Sequence, residues 1–70
     1  MYHIGDVIKI KVSGMPIRGM PIRLANVLER YTIRLVYNRM RYNYRVYIWG
    51  NVISPIQVIR GDEVIEKIEI

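Results

Sequence analysis

Apolar and polar residues alternate over residues 6–12, DVIKIKV, apart from the adjacent Val7 and Ile8. Ile8, Ile10 and Val12 fall on one side, and Val7, Lys9 and Lys11 on the other, which predicts a half-buried first strand. A longer alternation fills residues 31–49, YTIRLVYNRMRYNYRVYIW. It predicts a hairpin turning at Asn38–Arg41, with Tyr37 opposite Tyr42. That register sets Leu35 opposite Tyr44, Ile33 opposite Val46 and Tyr31 opposite Ile48, all on one apolar face. The other face pairs Asn38 with Arg41, Val36 with Asn43, Arg34 with Arg45 and Thr32 with Tyr47, and Trp49 follows. A slip of one residue would scramble both faces. Ile33, Leu35, Tyr44 and Val46 are therefore the expected core of this hairpin.

Residues 22–30, IRLANVLER, fit two periods. As a helix they would begin at Pro21 and show a stripe of Leu24, Val27, Leu28 and Tyr31. As a strand they put Ile22, Leu24 and Leu28 on one face with Asn26 as the misfit. The strand is preferred because its neighbours are strands. Residues 56–60 and 63–70 predict a second hairpin, with Gly61-Asp62 as a two-residue turn beside an Arg60–Glu63 charge pair. Its apolar residues sort into Ile56, Val58 and Ile65 on one face and Ile59, Val64 and Ile68 on the other. Gly50-Asn51 and Ser54-Pro55 are breaks. Five to six short antiparallel strands argue an all-β fold, a small barrel or open sandwich.

Between the first two strands, residues 14–23 spell GMPIR twice in succession. Pro16 and Pro21 cannot donate to a ladder and push the preceding Met residues away from helix. A basic loop is expected, Arg18 and Arg23 adding charge in an auxiliary role. Other readings are an insertion that a loop tolerates cheaply, and a lid with Ile17 and Ile22 on the core.

Composition narrows this further. The 70 residues make one small domain, which has little stability to spare. No Cys is present, so packing must supply it, although 51% of residues are hydrophobic and thirteen are Ile. Abundant strand formers, with eight Arg against three Lys, have a thermophile and archaeal flavour. No apolar run reaches a membrane-span length, and no signal-peptide pattern opens the chain, so a cytoplasmic protein is expected. The net charge of +5 is unevenly spread: residues 1–60 carry ten Lys and Arg against Asp6 and Glu29, and residues 61–70 carry four acids against Lys67. A basic body with an acidic C-terminal strand points to a polyanion partner, DNA or RNA.

The frame YHIGDVIKI, a loop containing GMP, then VLERYTIRLVY, YRVYIW and NVISPI resembles the SH3-like small barrels. The Gly-Asp opening is similar to that of KOW and Tudor domains. VISPI resembles the one-turn helix and short last strand that seal such barrels. GMP and Ile-x-Pro-Ile are also similar to an SH3-like ribosomal protein family of the archaeal and eukaryotic large subunit. That family's basic N-terminal extension and Tyr-His-Gly-Lys stretch are missing here, and Ile17 and Ile22 stand where its His would be. The resemblance spans residues 2–59 and implies a barrel of this kind, with nucleic-acid binding as the associated activity.

Catalysis finds little support in the residues. His3 is the single histidine, near the terminus, and no Cys offers a thiolate. Ser13 and Ser54 lie at turn breaks without a base, and Asp62 and Glu63 adjoin in a turn. No spacing suits a metal, no cofactor motif is present, and the Arg60–Asp62 tripeptide RGD has a sufficient reason in the turn. An enzyme is not expected. Arg34, Arg41, Asn43, Arg45, Tyr47 and Trp49 share one sheet face instead. Guanidinium groups that track phosphates beside rings that stack bases are how single strands are held without sequence readout. Arg34 opposite Arg45 would cost some sheet stability, which a solvated face tolerates. The alternative is an assembly module with no nucleic acid, a homodimer covering Ile56, Val58 and Ile65.

Overall fold

The structure, a computed structural model, describes residues 1–12 and 22–69, with the backbone alone at residues 33, 34 and 36. Most of the doubled GMPIR, Arg18 included, lies outside the described residues, and Arg23 lies within them.

The five strands are β1 (Val7–Lys11), β2 (Ile22–Val36), β3 (Arg39–Ile48), β4 (Ile56–Arg60) and β5 (Val64–Ile68). All neighbours are antiparallel, in the order β4-β3-β2-β1-β5. Among the described residues no helix is long and apolar enough to cross a membrane.

The sheet cannot be flat. Four interstrand steps of about 4.8 Å would hold its edges about 19 Å apart. Yet β4 and β5 are joined only by the 3-10 turn Gly61–Glu63, three residues that rise about 6 Å. The sheet must curl until its edges approach, and the result is the small SH3-like barrel that the sequence predicts. Residues 56–70 therefore do not form the expected hairpin: β4 pairs with β3, and β5 pairs with β1. The Arg60–Glu63 partnership survives, with the Arg60 amide donating to Glu63 Oε2 at 2.8 Å. The one-turn helix sits at Gly61–Glu63 and not at VISPI, whose Val52 and Ile53 are exposed in the β3–β4 connection.

Strand β1 follows its alternation at Ile8 and Ile10, both fully buried, and Val12 packs against the core. Val7, expected on the outer side with Lys9 and Lys11, is also buried. Gly5 leads into it at φ 92, a conformation that favours glycine, and its amide donates to the Val27 carbonyl. Residues 22–30 are strand as expected, but the inward face is Ala25 and Val27; Ile22 and Leu28 are exposed and Leu24 is half-buried. Bulky Leu invites the opposite assignment, yet small Ala25 is what the crowded pairing with both β1 and β3 accommodates. Val46, Ile48, Tyr44 and Ile59 complete the core. The Tyr44 hydroxyl accepts a hydrogen bond from the Tyr2 amide at 3.1 Å, so burying this ring leaves its oxygen partnered.

The long hairpin turns two residues earlier than expected. Tyr37 and Asn38 both take positive φ, 51 and 60, the pattern of a tight two-residue turn matched to strand twist. Val36 then faces Arg39, Leu35 faces Met40, and Arg34 faces Arg41. Two irregularities in β2, at Leu28 and at Ile33, each shift the register by one; the earlier turn and the irregularity at Ile33 set Glu29, and not Arg34, opposite Arg45. Tyr44 and Val46 are buried as predicted, whereas Leu35 is 64% exposed and the Ile33 side chain lies outside the described residues. Leu35 is exposed because the hairpin extends beyond the strands that would cover it.

Candidate functional site

Strand β3 is regular from Arg39 to Ile48, so its odd-numbered residues share one face. Tyr44, Val46 and Ile48 point into the barrel, and Arg41, Asn43, Arg45 and Tyr47 point out of it. Four of the residues expected on the binding face thus form one outward stripe. Arg39, assigned to the turn by the sequence, extends the same stripe. From Arg39 to Tyr47 the stripe is about 27 Å long at the usual strand rise.

Trp49 follows the strand at one end. Its amide donates to the Leu24 carbonyl, and its indole Nε1 donates to Asn26 Oδ1 at 2.6 Å. That bond fixes the ring beside β2 and leaves it 42% exposed. Gly50 then turns the chain at φ 79, and a Cβ there would lie 3.2 Å from Arg23 Nη1. Arg23 is thereby placed at the Trp49 end, while Arg18 lies outside the described residues and the Arg34 backbone stands opposite Arg41.

The neighbouring strands extend the face. Tyr47 lies between Asn26 of β2 and Ile56 of β4, Arg45 between Glu29 and Val58, and Asn43 between Tyr31 and Arg60. Ile56 and Val58 are therefore beside the stripe and exposed. Ile65, also exposed, belongs to β5, so the three do not form one hairpin face.

Glu29 is the residue that pattern reading missed. Arg45 Nη1 donates to its Oε1 at 3.0 Å, and the Tyr31 hydroxyl donates to its Oε2 at 2.6 Å. The Tyr31 hydrogen bond, aided by Arg45, holds the Glu29 carboxyl below the usual carboxylate range. The same bond raises the Tyr31 phenol above its ordinary value. No local signal could have found this trio, because the irregularity at Leu28 turns Glu29 outward.

Every acid of the chain is within ion-pair reach of a cation. Glu66 holds Lys9 at 3.1 Å, Asp62 and Glu63 hold Arg60, Asp6 and Glu69 hold Lys67, and Glu29 holds Arg45. Four cations thus absorb all six acids. Among the described residues Lys11, Arg23, Arg30, Arg39 and Arg41 are left without an ion pair. Arg30 lies over the Tyr42 ring, 5.3 Å from its centroid. Glu66 runs beside β1, whereas Asp62 and Glu63 lie in the turn that adjoins the long hairpin at Tyr42. No protein-family model matches the chain, and neither curated proteins nor solved structures give a match.

Proposed function

We propose that this protein binds nucleic acid through the outward stripe of β3, with little sequence readout. The observation that carries the reading is the distribution of unpaired charge. Six acids are paired with four cations, of which Arg45 alone is on this stripe. Arg39 and Arg41, on a strand face shared with Tyr47 and adjoined by Trp49, have no ion pair among the described residues. Arg39 and Arg41 contact phosphates and displace counterions. Tyr47 and Trp49, each exposed at one side, offer rings on which bases stack at ~1–3 kcal/mol each. Arg45 is held in reserve by Glu29, and exchanges its carboxylate for a phosphate only at some cost.

Fluorescence anisotropy with short labelled DNA and RNA, at two salt concentrations, tests this. Binding that weakens steeply with salt is expected, and Trp49→Ala lowers single-strand affinity with little change in the salt slope. Absence of binding at low salt overturns the reading.

A second reading, self-assembly, is favoured by one observation: among the described residues β4 pairs with β3 alone, and its Ile56 and Val58 are 49% and 59% exposed. Two copies pairing along β4 would cover both. Sedimentation at high micromolar concentration decides it, with Val58→Lys expected to dissociate such a dimer and a purely monomeric wild type excluding it.

A further inference from the structure

The outward stripe does not end with the barrel. Strand β1 accompanies β2 only from Ile22 to Asn26, and β4 accompanies β3 only from Asn43 to Tyr47. Among the described residues no third strand flanks residues 32–42, which form a two-stranded ribbon extending from the barrel, with Tyr42 packed against the core at its base. A two-stranded ribbon is marginal in water, so the core does not account for its length. It carries Arg34, Arg39 and Arg41 and no acid. Arg39 and Arg41 are exposed on one face, Leu35 and Met40 on the other, and Tyr37 is 93% exposed at the tip.

We propose that this ribbon enters the major groove of double-stranded DNA, with Arg39 and Arg41 toward the groove and Tyr37 leading. The proposal rests on the nucleic-acid reading above and names its substrate. Its first ground is charge, since an acid-free arginine ribbon complements a polyanion. Its second is size. Two strands about 4.8 Å apart, with side chains on both faces, make a rod on the order of 10 Å across. The major groove of B-form DNA, about 12 Å wide, admits such a rod, and the minor groove, about 6 Å wide, does not. A-form RNA has a deep, narrow major groove that side chains do not reach, so duplex RNA is a poorer fit. In the groove, Arg39 and Arg41 meet the phosphate walls, and the ribbon itself covers guanine N7.

The test compares a labelled 20-base-pair DNA duplex, the same sequence as RNA duplex, and single-stranded DNA. Wild type is expected to bind duplex DNA at least about tenfold more tightly than either competitor and to shield guanine N7 from dimethyl sulfate. Joint replacement Arg39→Gln with Arg41→Gln, at exposed positions, should weaken duplex binding about tenfold or more and flatten the salt slope by about two. The charge-matched control Lys9→Gln with Lys11→Gln should cost much less, circular dichroism confirming that both variants fold. Equal or tighter binding of single strands, an open N7, or a ribbon variant no weaker than the control overturns the groove proposal and leaves the stripe reading standing. Failure of wild type to bind any of the three probes overturns both.

Discussion

Glu29 and Arg45 face each other across β2 and β3, with Arg45 Nη1 3.0 Å from Glu29 Oε1. The pair restrains a guanidinium that would otherwise add to the exposed positive stripe. Replacing Glu29 with Gln removes the charge and keeps the size. Nucleic-acid affinity should rise at low salt, and the salt slope should steepen by up to about one phosphate contact. An unchanged slope in the anisotropy titration would mean that Arg45 does not reach phosphate even when released.

The same trio sets a pH dependence. Glu29 is depressed first by the Tyr31 hydroxyl and then by Arg45, so its contribution to stability is present above its unfolded pKa and is lost as pH falls through the lowered folded value. Asp6 acts in the same direction, chiefly through the His3 amide that donates to its Oδ2. Tyr31 is raised by Glu29, so its share is present below its unfolded pKa and is lost as pH rises through the raised folded value. In Glu29→Gln, carboxyl and phenol titrations followed by NMR should show Tyr31 returning toward 10.0 and a shallower acid limb.

Ile10 is fully buried between β2 and β5. Ile10→Ala should cost about 2–5 kcal/mol, comparable with everything a disulfide-free domain of this size has. Tyr44→Phe, which strips the Tyr2 amide of its acceptor, should cost only about 1 kcal/mol. Urea unfolding of the two variants distinguishes a packing-limited fold from one held by that hydrogen bond.

Tyr37 and Asn38 occupy a turn that asks positive φ of both, and Tyr is a poor residue for it. Writing Asn-Gly there should stabilise the protein by about 1 kcal/mol, seen as a melting temperature about 4–8 °C higher. If the ribbon tip leads into a groove, the same change should weaken duplex DNA binding while it stabilises the fold.

Some of this protein is determined by local chemistry alone. The alternation of β1 from Ile8 onward places Ile8 and Ile10 inside, because an extended chain hides every second residue, whereas the burial of Val7 on the other side is not announced by it. Regular β3 likewise places Tyr44 and Val46 inside and Arg41, Asn43, Arg45 and Tyr47 outside. Ile59 and Val64 turn inward, and Ile56, Val58 and Ile65 outward, as their alternation requires. What the tertiary structure decided are the relations between strands. A hairpin and a curled sheet offer the same alternation to β4 and β5, and only the closure of the barrel sends them to opposite edges. Alternation also cannot announce a bulge. The irregularities at Leu28 and Ile33 each insert one residue into β2. The earlier turn and the one at Ile33 replace an Arg34–Arg45 repulsion with the Glu29–Arg45 pair, and the one at Leu28 lets Val27 face inward while Glu29 faces out. Register is a property of two strands at once, and it depends on which partner is available to bury each face.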